Sequence, residues 1–153
     1  MSLSKIAAFK TSRRSVAVAV FEGTKLDYTQ IRHLSSDHQR AEDSAVGFAR
    51  WVVDKLDIES AVLDGFSDGD PSRRAILNLV VRGALRSASV SVWQVPKDEL
   101  LNAFSIPRLK NNKELRSIIT SFWPILDDQR QAALCMDAAA LGLYVATERF
   151  FLP

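Results

Sequence analysis

Residues 15–21 constrain the fold of this chain more than any other segment, because they are apolar on both faces of an extended strand. Valines alternate there with Ala17, Ala19 and Phe21, and successive side chains of a strand point to opposite faces of the sheet. A strand with two apolar faces has to be covered on both sides. We therefore expect a central strand of a sheet that lies between layers of helices.

The periodicity of the other segments predicts five strands and several helices. Alternating or β-branched segments predict strands at residues 6–9, 15–21, 26–34, 60–65 and 88–95. Apolar residues spaced by three and four predict helices at residues 41–56, from Pro71 onward, and at residues 97–104, 112–122 and 129–148. Short connections favour antiparallel pairing of the first three strands, and the later alternation of strand and helix favours parallel crossovers. The predicted fold class is α/β, with a five-stranded mixed sheet flanked by helices.

Length and composition exclude several classes of protein. With 153 residues, 47% of them hydrophobic, the chain suits a single domain spanning residues 1–153. Twenty Lys and Arg against eighteen Asp and Glu give a net charge of +2, so any contact with nucleic acid is expected to be a local patch. The single cysteine excludes an intrachain disulfide, and no apolar run reaches the roughly 18–20 residues of a membrane span. These features predict a soluble, cytoplasmic protein.

Two acidic residues lie where apolar residues are expected. Asp64 ends a short apolar strand, at the carboxyl edge where α/β sheets place their sites. Asp137 lies within the last predicted helix, and its neighbours three and four residues away are apolar: Ala133, Leu134, Ala140 and Leu141. A buried carboxylate needs a cation, a metal or a hydrogen-bond network. Local capping or ion pairing is one interpretation of each acid, and the two together indicate a functional or vestigial site.

The predicted elements follow one another in a characteristic order. Three opening strands with a polar hairpin come first, and a later strand ends in Asp64. The next helix carries Val81-Arg82-Gly83-Ala84, and the last helix carries Asp137-Ala138-Ala139-Ala140-Leu141. Over nearly its full length this order resembles the RuvC-type Holliday junction resolvases of the ribonuclease H-like superfamily. In that family an Asp of the first strand, a Glu ending the fourth strand and a D-A-x-D-A-L motif in the last helix hold two magnesium ions that activate water against a phosphodiester. The resemblance implies a ribonuclease H-like fold, branched DNA as a partner and a homodimer.

Residue by residue, the resemblance places the family's Glu at Asp64 and one of its two helical acids at Asp137. The leading Asp falls on Lys10, and the second helical acid has no acidic counterpart. A lysine repels Mg²⁺ and attracts the acids that would bind it. We therefore predict that Lys10 bonds Asp64, Asp137 or both, and that no metal or other cofactor is bound. The predicted function is an inactive RuvC-like pseudonuclease that binds nucleic acid or a protein, or serves in assembly.

Two other functions remain open from the sequence. In the first, the chain is an active Mg²⁺-dependent, structure-selective endonuclease in which Asp68, Asp70 or Asp128 replaces the missing ligands. These acids sit in polar turns, where capping is the commoner role. In the second, the chain is a plain α/β scaffold with no link to nucleic acid.

Basic clusters lie near the region where the resembled family meets DNA. The candidate nucleic-acid contacts are Arg13, Arg14, Arg73, Arg74, Lys110, Lys113 and Arg116. Guanidinium and ammonium groups bind phosphates, although a solvated surface is the commoner role for such residues. His33 and His38 have no third histidine or nearby cysteine, so a metal pair is not expected. Cys135 is predicted to be a buried thiol without a catalytic partner.

Overall fold

The computed structural model describes residues 5–23, 25–67, 69–96, 99 and 133–151. The predicted helices 97–104, apart from Glu99, and 112–122 lie outside the described residues. Five candidate site residues also lie outside them: Asp68, Lys110, Lys113, Arg116 and Asp128.

The described strands form one mixed sheet. They are β1 (Lys5–Thr11), β2 (Ser15–Glu22), β3 (Lys25–His33), β4 (Ser60–Asp64) and β5 (Ser91–Val95). Their order across the sheet is β3-β2-β1-β4-β5. The pairs β1–β2 and β2–β3 are antiparallel, whereas β1–β4 and β4–β5 are parallel. The predicted architecture, an antiparallel meander followed by parallel crossovers, is confirmed.

Three helices flank this sheet in the described part of the chain: α1 (His38–Leu56), α2 (Arg73–Ser87) and α3 (Ala133–Phe151). Helix α1 begins three residues before the predicted start because Asp37 caps it, its side chain accepting the Arg40 N–H at 2.9 Å. Ser72 caps α2 in the same way through the Ala75 N–H. No helix of the described residues is both long and apolar enough to cross a membrane.

Two apolar cores lie on opposite faces of the sheet. Helices α1 and α2 cover one face and α3 covers the other. In β2 the valines belong to the core under α1 and α2, whereas Ala17, Ala19 and Phe21 belong to the core under α3. The predicted role of residues 15–21 as a central strand covered on both sides is confirmed. Each face of the sheet needs a layer of helix to bury its apolar side chains from water.

Strand β5 is shorter than the predicted segment 88–95. Ala88 is the C-cap of α2, and Ser89 has a left-handed backbone with φ of 62°. The Val90 N–H then donates to the Leu85 carbonyl at 3.1 Å. Residues 88–90 therefore close the end of a helix, which the alternation of apolar residues alone does not distinguish from the start of a strand.

Candidate functional site

The register between β1 and β4 sets Lys10 beside Asp64. These parallel strands pair Ala8 with Val62 and Phe9 with Leu63, so Lys10 and Asp64 are the next neighbours in the same register. Ala8 and Val62 both lie in the core under α3. Since side chains two residues further along a strand return to the same face, Lys10 and Asp64 also point toward the α3 side.

The two side chains form a buried ion pair. The Lys10 Nζ lies 2.8 Å from Asp64 Oδ2, and the side chains are only 8% and 6% exposed. Among the described residues neither oxygen of Asp64 accepts a well-directed hydrogen bond. The Lys10 ammonium is therefore the main compensation for the carboxylate charge, in a position where an uncompensated charge is strongly unfavourable.

Asp137 is buried on the same side of the sheet. It is 5% exposed and belongs to α3, the helix that covers this face. Five residues later, or roughly 7.5 Å along the helix axis, Gly142 lies against Ala8 and Phe21. The structure thus brings Lys10 and Asp64 into contact and places Asp137 on the helix above that face.

The acids of the described residues do not form a site that fits the two magnesium ions implied by the sequence resemblance. The described ranges contain no group of three or more His, Cys, Asp or Glu side chains that could hold a metal ion. Hard divalent cations require several oxygen ligands, and the Lys10 ammonium takes the place beside Asp64 that one of them needs. The charge of Asp64 is neutralised by the chain itself.

The ends of β1 and β4 are also fixed from the opposite face of the sheet. The buried Asn78 of α2 donates from Nδ2 to the Asp64 carbonyl oxygen at 3.2 Å. The Thr11 hydroxyl donates to the Arg74 carbonyl at 2.9 Å. Asn78 was not among the predicted site residues. Its neighbours three residues away, Ala75 and Val81, are apolar, but those four residues away are arginines, so the pattern that marked Asp137 is incomplete there. These bonds hold in place the backbone that presents the ion pair.

Three of the predicted arginines meet at one pocket. The pocket has a volume of about 70 Å³ and is lined by Arg13, Arg14, Ser35, Ser36, His38 and Arg73. Arg74 lies elsewhere, with its guanidinium 5.2 Å from the centre of the Phe66 ring. The proximity of the two serines and His38 to the arginines could not be predicted from local sequence, since it exists only after the sheet has formed.

The other candidate side chains have local structural partners. His33 Nδ1 lies 3.1 Å from the Ser15 hydroxyl oxygen, and no metal-binding group includes it among the described residues. Burial raises the pKa of Cys135 to about 11, so its thiol is protonated near neutral pH and is a poor nucleophile. Asp70 accepts the Ser72 N–H at 2.9 Å, a bond that lowers the pKa of its carboxyl.

Comparison with known proteins identifies the fold. No family model and no curated protein matches the sequence. Thermus thermophilus RuvC in complex with a Holliday junction substrate superimposes with a TM-score of 0.73 at 14% identity, covering 97% of this chain and 96% of that one. The fowlpox virus Holliday junction resolvase gives 0.61 at 12% identity, with 94% and 99% covered.

The yeast mitochondrial Holliday junction resolvase gives a TM-score of 0.62 at 6% identity, with 95% of this chain and 77% of that chain covered. The sequence identities are low, and the agreement in topology extends over nearly the whole chain. The chain has a RuvC-type, ribonuclease H-like fold, as the order of its elements predicted.

Proposed function

We propose that this chain is a RuvC-like pseudonuclease that binds branched or structured nucleic acid without cleaving it. The observation that carries the proposal is the buried contact of 2.8 Å between Lys10 and Asp64. It gives the site a cation where metal-dependent cleavage of a phosphodiester needs an acid.

The ion pair opposes metal-dependent cleavage for an electrostatic reason. In the two-metal mechanism, clustered carboxylates hold cations that stabilise the attacking and the leaving oxygen. Lys10 and Asp64 together carry no net charge, so their position does not attract a divalent cation. To bind there, a metal would first have to displace a buried ammonium from its carboxylate and leave that ammonium unpaired.

Nothing in the described part of the chain supports the active-endonuclease alternative. Of its three replacement acids, Asp68 and Asp128 lie outside the described residues. Asp70 is bonded to the turn that precedes α2, and no described acidic cluster could hold a metal.

Binding to nucleic acid is supported by the fold and by the position of the basic residues. Among the structures with this fold, RuvC and the fowlpox virus resolvase were solved with Holliday junction DNA. In this chain Arg13 and Arg14 follow the end of β1, and Arg73 opens the helix that follows β4. All three lie near the carboxyl ends of β1 and β4, where Lys10 and Asp64 are also located. Arg74, Lys110, Lys113 and Arg116 remain predicted contacts.

A homodimer is also part of the proposal, on the resemblance to the resolvases. A chain of 17.0 kDa should then sediment with twice that mass. A mass of 17.0 kDa at every protein concentration would exclude the dimer and leave the other parts of the proposal intact.

The central experiment compares the native chain with Asp64→Asn and Lys10→Asp in the presence of a four-way DNA junction and Mg²⁺ or Mn²⁺. We expect the native chain to bind the junction without cleaving it. Mn²⁺ should leave the melting temperature of the native protein unchanged. The melting temperature of Lys10→Asp should rise with Mn²⁺ concentration, because two adjacent acids that can bind the metal then replace the ion pair.

Cleavage by the native chain that Asp64→Asn abolishes would overturn the proposed inactivity, whether or not Lys10→Asp folds. Failure of the native chain to retain any junction would overturn the nucleic-acid part of the proposal and favour a protein partner.

A further inference from the structure

We propose that the pocket lined by Arg13, Arg14, Ser35, Ser36, His38 and Arg73, here called the anion pocket, binds one phosphate group of a nucleic-acid backbone. Its use on nucleic acid rests on the proposed function. Its capacity to bind phosphate rests on the pocket alone.

The anion pocket is built from three segments that the fold fixes against one another. Arg13 and Arg14 form the turn between β1 and β2, which the bond from the Ser12 N–H to the Ser15 carbonyl closes at 2.9 Å. The Leu34 N–H donates to the Arg14 carbonyl at 2.7 Å and joins this turn to the connection between β3 and α1. The pocket therefore has a wall of defined geometry before any ligand arrives.

Arg73 supplies the wall on the α2 side. Its guanidinium donates to the His38 carbonyl at 3.1 Å and lies 3.8 Å from Glu42 Oε2, and its side chain is only 15% exposed. Glu42 offsets part of this positive charge, so Arg73 serves mainly to tie the start of α2 to the start of α1. It is a positioning residue for the pocket.

Arg13 and Arg14 supply the charge that is available to a ligand. Both residues are exposed, and neither guanidinium has an ion-pair partner among the residues that the structure describes. The six lining residues include no acid. The neighbouring Asp37 accepts the Arg40 N–H, as the cap of α1. Two unpaired guanidinium groups beside one opening are suited to the oxygens of a phosphate, which Arg binds in a bidentate manner.

Neutral donors complete the pocket. The Ser35 hydroxyl accepts the Asp37 N–H at 3.1 Å, which leaves its own hydrogen free to donate. His38 is the first residue of α1, and the carboxylate of the neighbouring Asp37 caps that helix start. The Ser35 hydroxyl is therefore a neutral donor that can add to the attraction for an anion.

The size and openness of the pocket are compatible with one phosphate group of a continuous strand. A cavity of about 70 Å³ exceeds the roughly 10–15 Å³ that one buried water needs, so it has room for one tetrahedral oxyanion. Five of the six lining residues are exposed, so a phosphate can enter while its strand continues past on both sides. We therefore assign the pocket to an internal phosphodiester.

The test uses the full chain, an unphosphorylated four-way DNA junction and inorganic phosphate. Arg13→Gln combined with Arg14→Gln is compared with Arg50→Gln, which removes an exposed arginine near the other end of α1. Fluorescence anisotropy over a series of salt concentrations measures affinity for the junction. Loss of one phosphate contact should lower the slope of log K against log salt by about 0.9, while Arg50→Gln leaves the slope unchanged. Inorganic phosphate should shift the amide resonances of the pocket in the native chain and leave those of the double variant unshifted.

The outcomes separate the two proposals. An unchanged affinity and slope in the double variant would overturn the anion pocket and leave nucleic-acid binding standing. Phosphate binding in the pocket without binding of any DNA would overturn the assignment to a nucleic-acid backbone. Binding only to strands that carry a terminal phosphate would overturn the assignment to an internal phosphodiester. With unphosphorylated DNA, a smaller slope of log K against log salt in the double variant but not in Arg50→Gln supports the proposal in full.

Discussion

The Lys10–Asp64 pair shows how one residue type changes what a buried position can do. The pair lies between adjacent parallel strands, below the helix that carries Asp137. Buried ion pairs contribute little net stability, because the desolvation of two charges offsets their attraction. Their removal is costly only when one partner remains. Neither Lys10 nor Asp64 can therefore be replaced alone without leaving an unpaired buried charge.

Replacing Lys10 alone should be strongly destabilising. In Lys10→Met the Asp64 carboxylate stays buried without its cation, so the free energy of unfolding should fall by about 3–5 kcal/mol. Combining Lys10→Met with Asp64→Leu should recover most of that loss, because both charges are then gone. Urea denaturation monitored by circular dichroism measures both variants.

Lys25→Met is the control for this comparison. It breaks a pair in which Lys25 lies 3.9 Å from Asp27 with its side chain 82% exposed, and exposed pairs contribute less than about 1 kcal/mol. If Lys10→Met were as mild as Lys25→Met, the buried pair would not be the main compensation for the charge of Asp64.

The contact of Lys10 with an acid could be predicted from the sequence, whereas the choice of acid could not. The resemblance to the resolvases places Lys10 at the family's leading Asp and Asp64 at its Glu, so both were expected at one site. The register of β1 on β4 decides that they are lateral neighbours, and a shift of one residue would have turned Lys10 to the other face. No local pattern in the sequence fixes that register.

At the scale of elements, the close approach of α3 to the sheet depends on a glycine. Gly142 faces β1 and β2, and a Cβ built on it would contact the Phe21 ring at Cε2, lie 2.7 Å from Cδ2 and lie 3.2 Å from the Ala8 Cβ. A real side chain at this position cannot be accommodated unless α3 or the Phe21 ring moves. The same helix places Asp137 over the face of the ion pair, so this packing also sets the position of that acid.

Gly142→Ala should therefore destabilise the fold although alanine favours helices. Overpacking a dense core costs about 1–3 kcal/mol, and the free energy of unfolding from urea titration should fall by that amount. Gly83→Ala in α2 is the matched control, because nothing lies within 4 Å of a Cβ there. That variant should gain about 0.5–1 kcal/mol from helix propensity. Equal effects of the two substitutions would contradict the close contact between α3 and Phe21.

Elements could be predicted where local pattern and burial agree. The valines of β2 recur at every second residue and the apolar residues of α1 at every third or fourth, and both elements formed as expected. The predicted start of β5 was wrong because the left-handed Ser89 ends α2 through backbone geometry. The anion pocket could not be predicted as a unit, since it joins a hairpin turn, a loop and a helix start that meet only in the folded sheet.

At the scale of the whole molecule, the charge balance limits how far the proposed attraction for nucleic acid would extend. Twenty basic and eighteen acidic residues leave a net charge of +2, too little for a long-range field over the entire surface. At physiological ionic strength, charges are screened beyond about 8 Å. Affinity for a phosphate backbone must then depend on where the positive charges lie rather than on how many there are.

Two charge reversals with the same effect on net charge separate these possibilities. Arg14→Glu and Lys55→Glu each change the formal charge from +2 to 0. Arg14 lines the anion pocket, whereas Lys55 lies in the last turn of α1, about 26 Å along the helix axis from His38, or roughly three screening lengths.

In a junction-binding titration at about 0.15 M salt, Arg14→Glu should weaken affinity by about tenfold or more, because it removes a phosphate contact and adds a repulsive charge there. Lys55→Glu should change affinity by less than about twofold. Equal losses in the two variants would mean that a delocalised field, rather than the edge where β1, α1 and α2 meet, determines binding.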